Sequence, residues 1–220
     1  MKILVVAPHP DDEVLGVGGT LARLIAEGAE AYVVVLTKGM PPEFPEDLYK
    51  IARQEAKAAN DILGVKEVFF LDLPAARLDT IPHREMNIQL SQIYKKVLPD
   101  ILFIPFVGDI HMDHQLAFLS AMVVGRPNGP YAPKYIYAYE TLSETNWNAP
   151  YITVNFVPNV FIDISEHLET KIQAMEKYAS QIKPFPNERS AEALRALATV
   201  RGSTVGRFAA EAFYLIRQIL

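Results

Sequence analysis

A histidine and three acidic residues follow the first apolar run of the chain. Residues 3–7 (ILVVA) lead directly into residues 8–13, which read PHPDDE. The apolar run predicts a buried strand, and the residues behind it predict the start of a helix. The polar group then lies at the carboxyl edge of a sheet, where open α/β proteins place their sites. Imidazole and carboxylate together bind metal ions, and a spare carboxylate beside them is a candidate general base.

A second polar cluster, His111, Asp113 and His114, stands behind another apolar run at residues 101–105. In a doubly wound sheet the first and fourth strands can be neighbours at the point where the strand order reverses. We therefore expect both clusters to face one crevice. Two clusters in matching positions favour a metal site over two unrelated polar turns.

His9, Asp12 and His114 can form a ligand set of two histidines and one carboxylate. Three protein ligands leave one coordination position open for water, as a catalytic zinc site requires. Zinc lowers the pKa of such a water to about 7. Asp11 is then left beside the metal, where it can accept the proton of that water.

His111 and Asp113 supply the remaining parts of a hydrolytic site. We expect the Asp113 carboxylate to hydrogen-bond His111, to fix its tautomer and to favour its charged form. A cationic His111 facing the metal would stabilise a developing oxyanion. The two clusters would thus provide a Lewis acid, a nucleophile, a base and an oxyanion stabiliser, which is what hydrolysis of an amide needs.

Helix capping is the competing structural role of the acidic residues. An aspartate at a helix start pairs with unbonded N–H groups and suits the helix dipole. Asp11, Asp12 and Asp113 all stand at predicted helix starts, and His9 between two prolines could form a rigid turn. Glu13 has no chemical role in this scheme, and we expect it to be structural.

Two other classes of metal protein use the same residue types. Non-haem iron oxygenases bind their metal with two histidines and one carboxylate, which His9, Asp11 and His114 superficially match. Their usual fold, however, is a β jelly roll. A non-catalytic protein could hold a structural zinc, which usually has four protein ligands. Asp11 and His111 would then have no assigned role.

A glycine-rich stretch at residues 16–19 (GVGG) lies in the first predicted helix. It lacks the spacing of a dinucleotide-binding motif, because the third glycine of that motif would fall at Leu21. Carboxylates at the end of the strand would also repel a pyrophosphate. We expect these glycines to let the helix pack closely on the sheet.

Apolar runs alternate with helix-period segments through the first half of the chain. Strands are predicted at residues 3–7, 31–37, 67–71 and 101–105, and helices at 14–27, 46–63, 83–97 and 113–124. This alternation indicates parallel βαβ units with both sheet faces covered. In the less regular second half, strands are predicted at 134–139, 159–164 and, in preference to a helix, 210–219, and helices at 164–180, capped by Ser165, and at 190–200. We predict a single Rossmann-like, doubly wound α/β domain over residues 1–220, with a mostly parallel sheet and an irregular C-terminal part.

Composition limits the partners and the compartment. The 220 residues are half apolar, carry a formal charge of −5 and contain no lysine- or arginine-rich run. Neither a nucleic acid nor an anionic membrane surface is therefore an expected partner. No apolar run approaches the roughly 20 residues of a membrane span, and the first is too short for a signal peptide. The absence of cysteine excludes disulfides, thiolate metal sites and a cysteine nucleophile, and a cytoplasmic location fits best.

Both motifs resemble those of the PIG-L / LmbE-like zinc-dependent N-deacetylases. That family has a PHPDDE-type motif after its first strand and an HxDH motif after a later one, and residues 8–13 and 111–114 match them. Residues 53–65, 158–181 and 210–213 contain further similar positions, so the resemblance spans nearly the whole chain. It implies a hydrolase that removes acetyl from an N-acetylglucosamine-containing sugar or sugar conjugate. It also implies one Zn²⁺ per chain and a homo-oligomer, a trimer or hexamer.

The resemblance assigns the ligands and the base to individual residues. It implies that His9, Asp12 and His114 bind the zinc ion. It also implies that Asp11 is the general base and later protonates the leaving amine.

The resemblance implies supporting roles for the other site residues. His111 would stabilise the tetrahedral oxyanion, and Asp113 would orient it. Arg53 matches an arginine that lies near the substrate. Asp109 stands where some members carry a tyrosine, so a step that depends on that tyrosine has no counterpart here.

Overall fold

Strands and helices alternate along the first half of the chain, as the sequence predicts. The computed structural model describes residues 1–129 and 131–220. The first half contains, in chain order, β1 (Lys2–Ala7), α1 (Asp12–Ala26), β2 (Glu30–Lys38), α2 (Glu46–Leu63), β3 (Glu67–Pro74), a short 3₁₀ helix (Leu78–Thr80), α3 (His83–Val97), β4 (Ile101–Pro105) and α4 (Met112–Val124). The second half contains β5 (Tyr135–Tyr139), β6 (Val160–Asp163), α5 (Leu168–Glu176), α6 (Ala191–Thr204) and β7 (Ala210–Gln218).

The described strands form one seven-stranded sheet in the order β3-β2-β1-β4-β5-β7-β6. The pairs β1–β2, β1–β4, β2–β3 and β4–β5 are parallel. Only the C-terminal part departs from this pattern among the described strands, because β7 runs antiparallel to both β5 and β6. The strand order reverses between β1 and β4. The predicted α/β fold with a mostly parallel sheet is therefore confirmed, and so is the neighbourhood of the first and fourth strands.

The central strand β1 is buried on both faces. Ile3, Val5 and Ala7 pack into a core with α1, α2 and α5, whereas Leu4 and Val6 pack into a second core with α3 and α4. Successive side chains of a strand point to opposite faces, so a strand covered on both sides is apolar throughout.

No helix of the described chain is both long and apolar enough to cross a membrane.

The helix predicted over residues 164–180 is shorter than expected. It begins at Leu168, behind His167, and ends at Glu176. Ser165 does not cap it, because Asp163 Oδ1 accepts both the backbone N–H of Ser165 at 2.9 Å and its hydroxyl at 2.6 Å. A local side-chain turn thus competes with the helix and delays its start.

A buried ion pair ties the C-terminal half to α1. Lys171 Nζ of α5 lies 2.6 Å from Glu211 Oε1 of β7, and it also donates to the carbonyl of Leu15 at 2.7 Å. Glu211 in turn accepts the backbone N–H groups of Gly19 and Thr20 at 3.0 and 2.7 Å. A buried pair with its remaining hydrogen-bonding capacity used fixes the relative positions of its elements. The helix that carries the PHPDDE motif is therefore held from both halves of the fold.

Gly16 of α1 allows the close packing on the sheet that was predicted for this stretch, whereas Gly18 faces Lys171 of α5. A Cβ atom at Gly16 would lie 2.2 Å from the ring of Tyr139 in β5. That ring is fixed, because Tyr139 is fully buried and its hydroxyl donates to the Val6 carbonyl at 2.8 Å.

We expect Gly16→Ala to lower the free energy of unfolding by about 1–3 kcal/mol, because the added methyl group overpacks a rigid contact. Urea denaturation of the variant and the parent protein measures this change. Gly18→Ala in the same helix is the comparison and should cost less stability, since its Cβ would lie 3.2 Å from side-chain carbons of both Lys171 and Val14, a milder contact than the one at Gly16. Equal stability of Gly16→Ala and the parent would contradict the packing described here.

Candidate metal centre and active site

The two polar clusters meet at the carboxyl ends of the neighbouring strands β1 and β4. His9 lies in the turn after β1, and His114 lies in the first turn of α4 after β4. Their ring centroids are 5.3 Å apart, and the His111 ring lies 4.6 Å from that of His9. The structure thus brings together residues that the sequence separates widely.

His9, Asp12 and His114 place one ligand atom each within 4.8 Å of one another. Asp12 Oδ2 lies 3.3 Å from both His9 Nδ1 and His114 Nε2. The other nitrogen of each ring meets a second carboxylate, because His9 Nε2 is 3.0 Å from Asp113 Oδ2 and His114 Nδ1 is 2.8 Å from Asp109 Oδ2. A carboxylate behind each histidine is the arrangement that orients histidine ligands around metals.

Two buried atoms in this group have no hydrogen-bond partner in the described part of the chain. They are Asp12 Oδ1 and His114 Nε2, on side chains that are at most 1% exposed. The 3.3 Å approach of Asp12 Oδ2 to His114 Nε2 is an ion-pair distance without hydrogen-bond geometry. A buried polar atom without a partner is unfavourable unless something else binds it. Carboxylate oxygen and imidazole nitrogen are ligands for a divalent metal ion such as zinc. The residues present therefore fit such an ion.

The carboxylates around the two histidines control their protonation. Burial alone would lower the pKa of His9, but the hydrogen bonds to Asp113 and Asp12 together outweigh burial and raise the pKa to about 9. Burial likewise opposes the charged form of His114, yet Asp12 and Asp109 raise its pKa to about 10. Without a metal both rings are therefore protonated at neutral pH. Metal binding must displace these protons, so metal affinity rises with pH.

The expected contact between the Asp113 carboxylate and His111 is wrong. Asp113 Oδ2 faces His9 and accepts the backbone N–H of Ala76 at 2.7 Å, while Oδ1 accepts that of Leu78 at 3.1 Å. The reason is local, because His111 is the N-cap of α4 and its Nδ1 accepts the backbone N–H of Asp113 at 3.1 Å. Asp113 thus positions a predicted metal ligand and the segment after β3.

For the metal-free protein, the expected charge on His111 is also wrong. Burial, followed by the charges of His9 and His114, lowers the pKa of His111 to about 4 and outweighs Asp113. Its ring is therefore neutral at pH 7. Because Nδ1 accepts a backbone hydrogen bond, the proton of the neutral ring resides on Nε2. His111 can therefore still donate a hydrogen bond to an oxyanion, although as a neutral group.

Asp11 is a buried carboxylate in a strained turn. It has φ 118°, a left-handed conformation that non-glycine residues rarely adopt, and it is 1% exposed. Glu13 supports this turn by accepting the backbone N–H of Asp11 at 3.2 Å, and Glu13 is itself held by Asn60 and Tyr178 at 2.8 and 2.5 Å. The structural role expected for Glu13 is this support.

Burial raises the pKa of Asp11 well above its usual range, and the neighbouring charge of Asp12 adds to this effect. Arg189 opposes the shift, since its Nη1 donates to Asp11 Oδ2 at 3.0 Å. A carboxyl group with a raised pKa is a better proton acceptor than an exposed one. The environment of Asp11 therefore suits a general base.

Sequence reasoning gave no role to two residues that contact the centre. Asp109 stands two residues before His111, so its place in the polar cluster was a usable signal. Arg189 lies far along the chain in a proline-containing loop before α6, and no spacing rule connects it with Asp11. Only the packing of that loop against the turn after β1 brings them together.

A cavity of about 350 Å³ opens beside the cluster. His9, Asp11 and His111 line one part of it, and Arg53 of α2 lines another. The guanidinium of Arg53 lies 4.4 Å from the centre of the Phe70 ring, and its Nη2 is 2.5 Å from Asp72 Oδ1. Arg53 is thus part of the cavity wall.

Sequence and structure comparisons relate the chain to the family that its two motifs resemble. A profile of the family described as PIG-L: GlcNAc-PI de-N-acetylase matches residues 4–124, which include both polar clusters. The diacetylchitobiose deacetylase of Thermococcus kodakarensis is 29% identical over 224 residues, covering 96% of this chain and 81% of that protein. The uncharacterized deacetylase YaiS of Escherichia coli K12 is 32% identical over 187 residues, covering 81% and 90%. The structure of N,N'-diacetylchitobiose deacetylase from Pyrococcus horikoshii is similar with a TM-score of 0.78 at 28% identity, covering 98% of this chain and 83% of that one.

We expect Asp109→Asn to weaken Zn²⁺ binding about 10- to 100-fold, because His114 would lose the charged partner that orients its ring. Competition with a chromophoric chelator measures the affinity, and thermal unfolding of the metal-free proteins checks that the fold is intact. Asp61→Asn, on the exposed side of α2, is the matched control. Unchanged affinity in Asp109→Asn would show that this carboxylate does not support the ligand.

Proposed function

The chain belongs to the PIG-L family, and on that basis we propose that it is a metal-dependent hydrolase. Its proposed reaction removes the acetyl group from an N-acetylglucosamine-containing sugar or sugar conjugate and releases acetate. The observation that carries the proposal is the position of Asp11, a buried carboxylate of raised pKa next to the set His9, Asp12 and His114. The names of the deacetylases reported above support the substrate class.

We propose Zn²⁺ as the metal, with one ion per chain held by His9, Asp12 and His114. The paired carboxylates behind both histidines and the unpartnered atoms Asp12 Oδ1 and His114 Nε2 support this assignment. When bound, zinc would supply Lewis-acid polarisation and an activated water.

The protein groups divide the rest of the reaction between them. Asp11 takes the proton from the attacking water and later delivers it to the leaving amine nitrogen, and Arg189 holds its carboxylate in place at 3.0 Å. His111 donates its Nε2–H to the oxyanion that forms on the acetyl carbonyl. Asp113 keeps His9 in its ligand orientation. Arg53 shapes the wall against which the sugar lies.

Two features weigh against the alternatives raised by the sequence. The parallel α/β sheet differs from the jelly roll of non-haem iron oxygenases. Asp11 and His111 line the cavity, and a purely structural metal site would assign no role to either residue. We also propose that residues 1–220 act as one domain, since the described strands share a single sheet.

We expect acetate release from at least one of N-acetylglucosamine, its β-linked oligomers and its glycosides, and loss of this activity when zinc is chelated. An enzyme-coupled acetate assay measures the release. No release from any of these substrates with zinc present would remove the support for the substrate class.

We expect Asp11→Asn to lower kcat by about 10²- to 10⁴-fold, because the amide cannot accept the proton. Zinc content and thermal unfolding should stay close to those of the parent protein. Asp79→Asn, at an exposed position of the 3₁₀ helix, is the matched control. Unchanged turnover in Asp11→Asn would exclude Asp11 as the base.

We propose that the chain forms a homo-oligomer, a trimer or hexamer. Support comes from the connection between β5 and β6, where Trp147, Tyr151, Ile152 and Val154 are 62, 100, 88 and 63% exposed. Contiguous exposed apolar side chains are typical of protein interfaces.

We expect Ile152→Asp to shift the protein towards the monomer, because a buried unpaired carboxylate is unfavourable in an interface. Size-exclusion chromatography with light scattering measures the mass. Lys66→Asp, on an exposed surface elsewhere, should leave the mass unchanged. A parent protein that is monomeric at micromolar concentration would refute the oligomer.

A further inference from the structure

The carboxylate behind His114 is held by a third element of the fold. Asp109 Oδ2 faces His114 Nδ1 at 2.8 Å, and Asp109 Oδ1 accepts the hydroxyl of Thr145 at 2.6 Å. Asp109 is fully buried, and Thr145 is 7% exposed. Among the described residues, Thr145 is the only other side chain that hydrogen-bonds this carboxylate. The rotation of the Asp109 carboxylate, and hence the oxygen that faces His114, therefore depends on Thr145.

The Thr145 hydroxyl has a fixed direction. Its oxygen accepts the backbone N–H of Thr141 at 2.8 Å, so its own proton points at Asp109. The turn is closed by the N–H groups of Glu144 and Thr145, which donate to the Thr141 carbonyl at 3.1 and 2.9 Å. The Ile110 N–H donates to the Glu144 carbonyl at 3.2 Å and joins the turn to the polar cluster after β4. A donor on such a braced turn orients its acceptor better than one on a loose loop.

We propose that Thr145 is a positioning residue for the metal centre, because it orients Asp109, which in turn orients His114 as a ligand. This inference rests on the proposed metal site. Thr145 lies outside both polar clusters, in the connection between β5 and β6. Its hydroxyl takes no part in the chemistry. It sets the geometry of one ligand and thereby the affinity for the metal, as outer partners of metal ligands do.

The competing explanation is that Thr145 only stabilises its turn. Its hydroxyl also accepts the Thr141 N–H, so its loss weakens the turn in either case. The two roles differ in one respect, because positioning needs the Asp109 carboxylate as the intermediary and turn stabilisation does not. Residues that act through one hydrogen-bond network have non-additive effects, whereas independent residues have additive ones. A double-mutant cycle on Thr145 and Asp109 therefore separates the two roles.

The test measures the zinc affinity of Thr145→Val by competition with a chromophoric chelator. Valine is close to threonine in size but lacks the hydroxyl donor. We expect about three- to tenfold weaker binding, a smaller loss than for Asp109→Asn, because Thr145 acts one step further from the metal. Thr145→Ser should restore most of the affinity, since serine keeps the donor.

Thr141→Val is the matched control. Thr141 belongs to the same turn and is fully buried, and its hydroxyl has no hydrogen-bond partner among the described residues. The same substitution at this position should therefore leave the zinc affinity unchanged. Thermal unfolding of the metal-free variants checks that each of them is folded.

The cycle uses Asp109→Ala, which removes the intermediary altogether. In this background, Thr145→Val should cause no further loss of zinc affinity. Acetate release by Thr145→Val should return to the parent's kcat when free zinc exceeds its weaker Kd, a recovery that a damaged turn would not show. Unchanged affinity in Thr145→Val, or losses that multiply in the double variant, would overturn the assignment.

His114→Ala separates this inference from the proposed metal site. If His114→Ala loses the zinc ion and Thr145→Val keeps full affinity, the metal site stands and the inference fails. If His114→Ala binds zinc as tightly as the parent protein, His114 is not a ligand, and the metal site and the inference fail together.

Discussion

The buried carboxylate of Asp12 is the charge around which the site is arranged. It is 1% exposed, and an ionised group at such a depth is tolerated only when it is paired and hydrogen-bonded. Burial disfavours its charged form, but His114 and His9 outweigh that effect and hold its pKa well below the usual range. Each of these histidines then needs its own buried carboxylate. The charge of Asp12, just after β1, is therefore stabilised together with Asp109 and Asp113, which follow β4. The parallel pairing of β1 and β4 brings these residues together.

The parts of the site that follow from strand order and local spacing were predictable from the sequence. His9, Asp12 and His114 converge because they follow two parallel, neighbouring strands. Apolar runs in the sequence indicate where these strands end, so the convergence could be predicted. The partner of the Asp113 carboxylate and the charge of His111 were not predictable. Both depend on which atom of a side chain faces which neighbour, and hydrophobic periodicity carries no information on that. Arg189 was missed for a related reason, because its contact with Asp11 depends on how a distant loop packs.

The fold shows the same division between local and distant effects. The βαβ half was predictable because a strand buried on both faces is apolar throughout, as β1 is. The predicted helix start at residue 164 was wrong, because the Asp163 side chain accepts the backbone N–H of Ser165 in a local turn. The link from Lys171 and Glu211 to α1 joins positions far apart in the chain, and only the folded protein reveals that pairing.

The backbone of Asp11 has a consequence for how this protein can change. Its φ of 118° suits glycine, and an aspartate there bears strain of about 1–3 kcal/mol. Selection for heat resistance alone would favour glycine at this position, whereas selection for chemistry would retain the acid. Stability and activity thus pull in opposite directions at a single residue. A relative with glycine at this position would have a more stable fold but would lack the carboxylate for proton transfer.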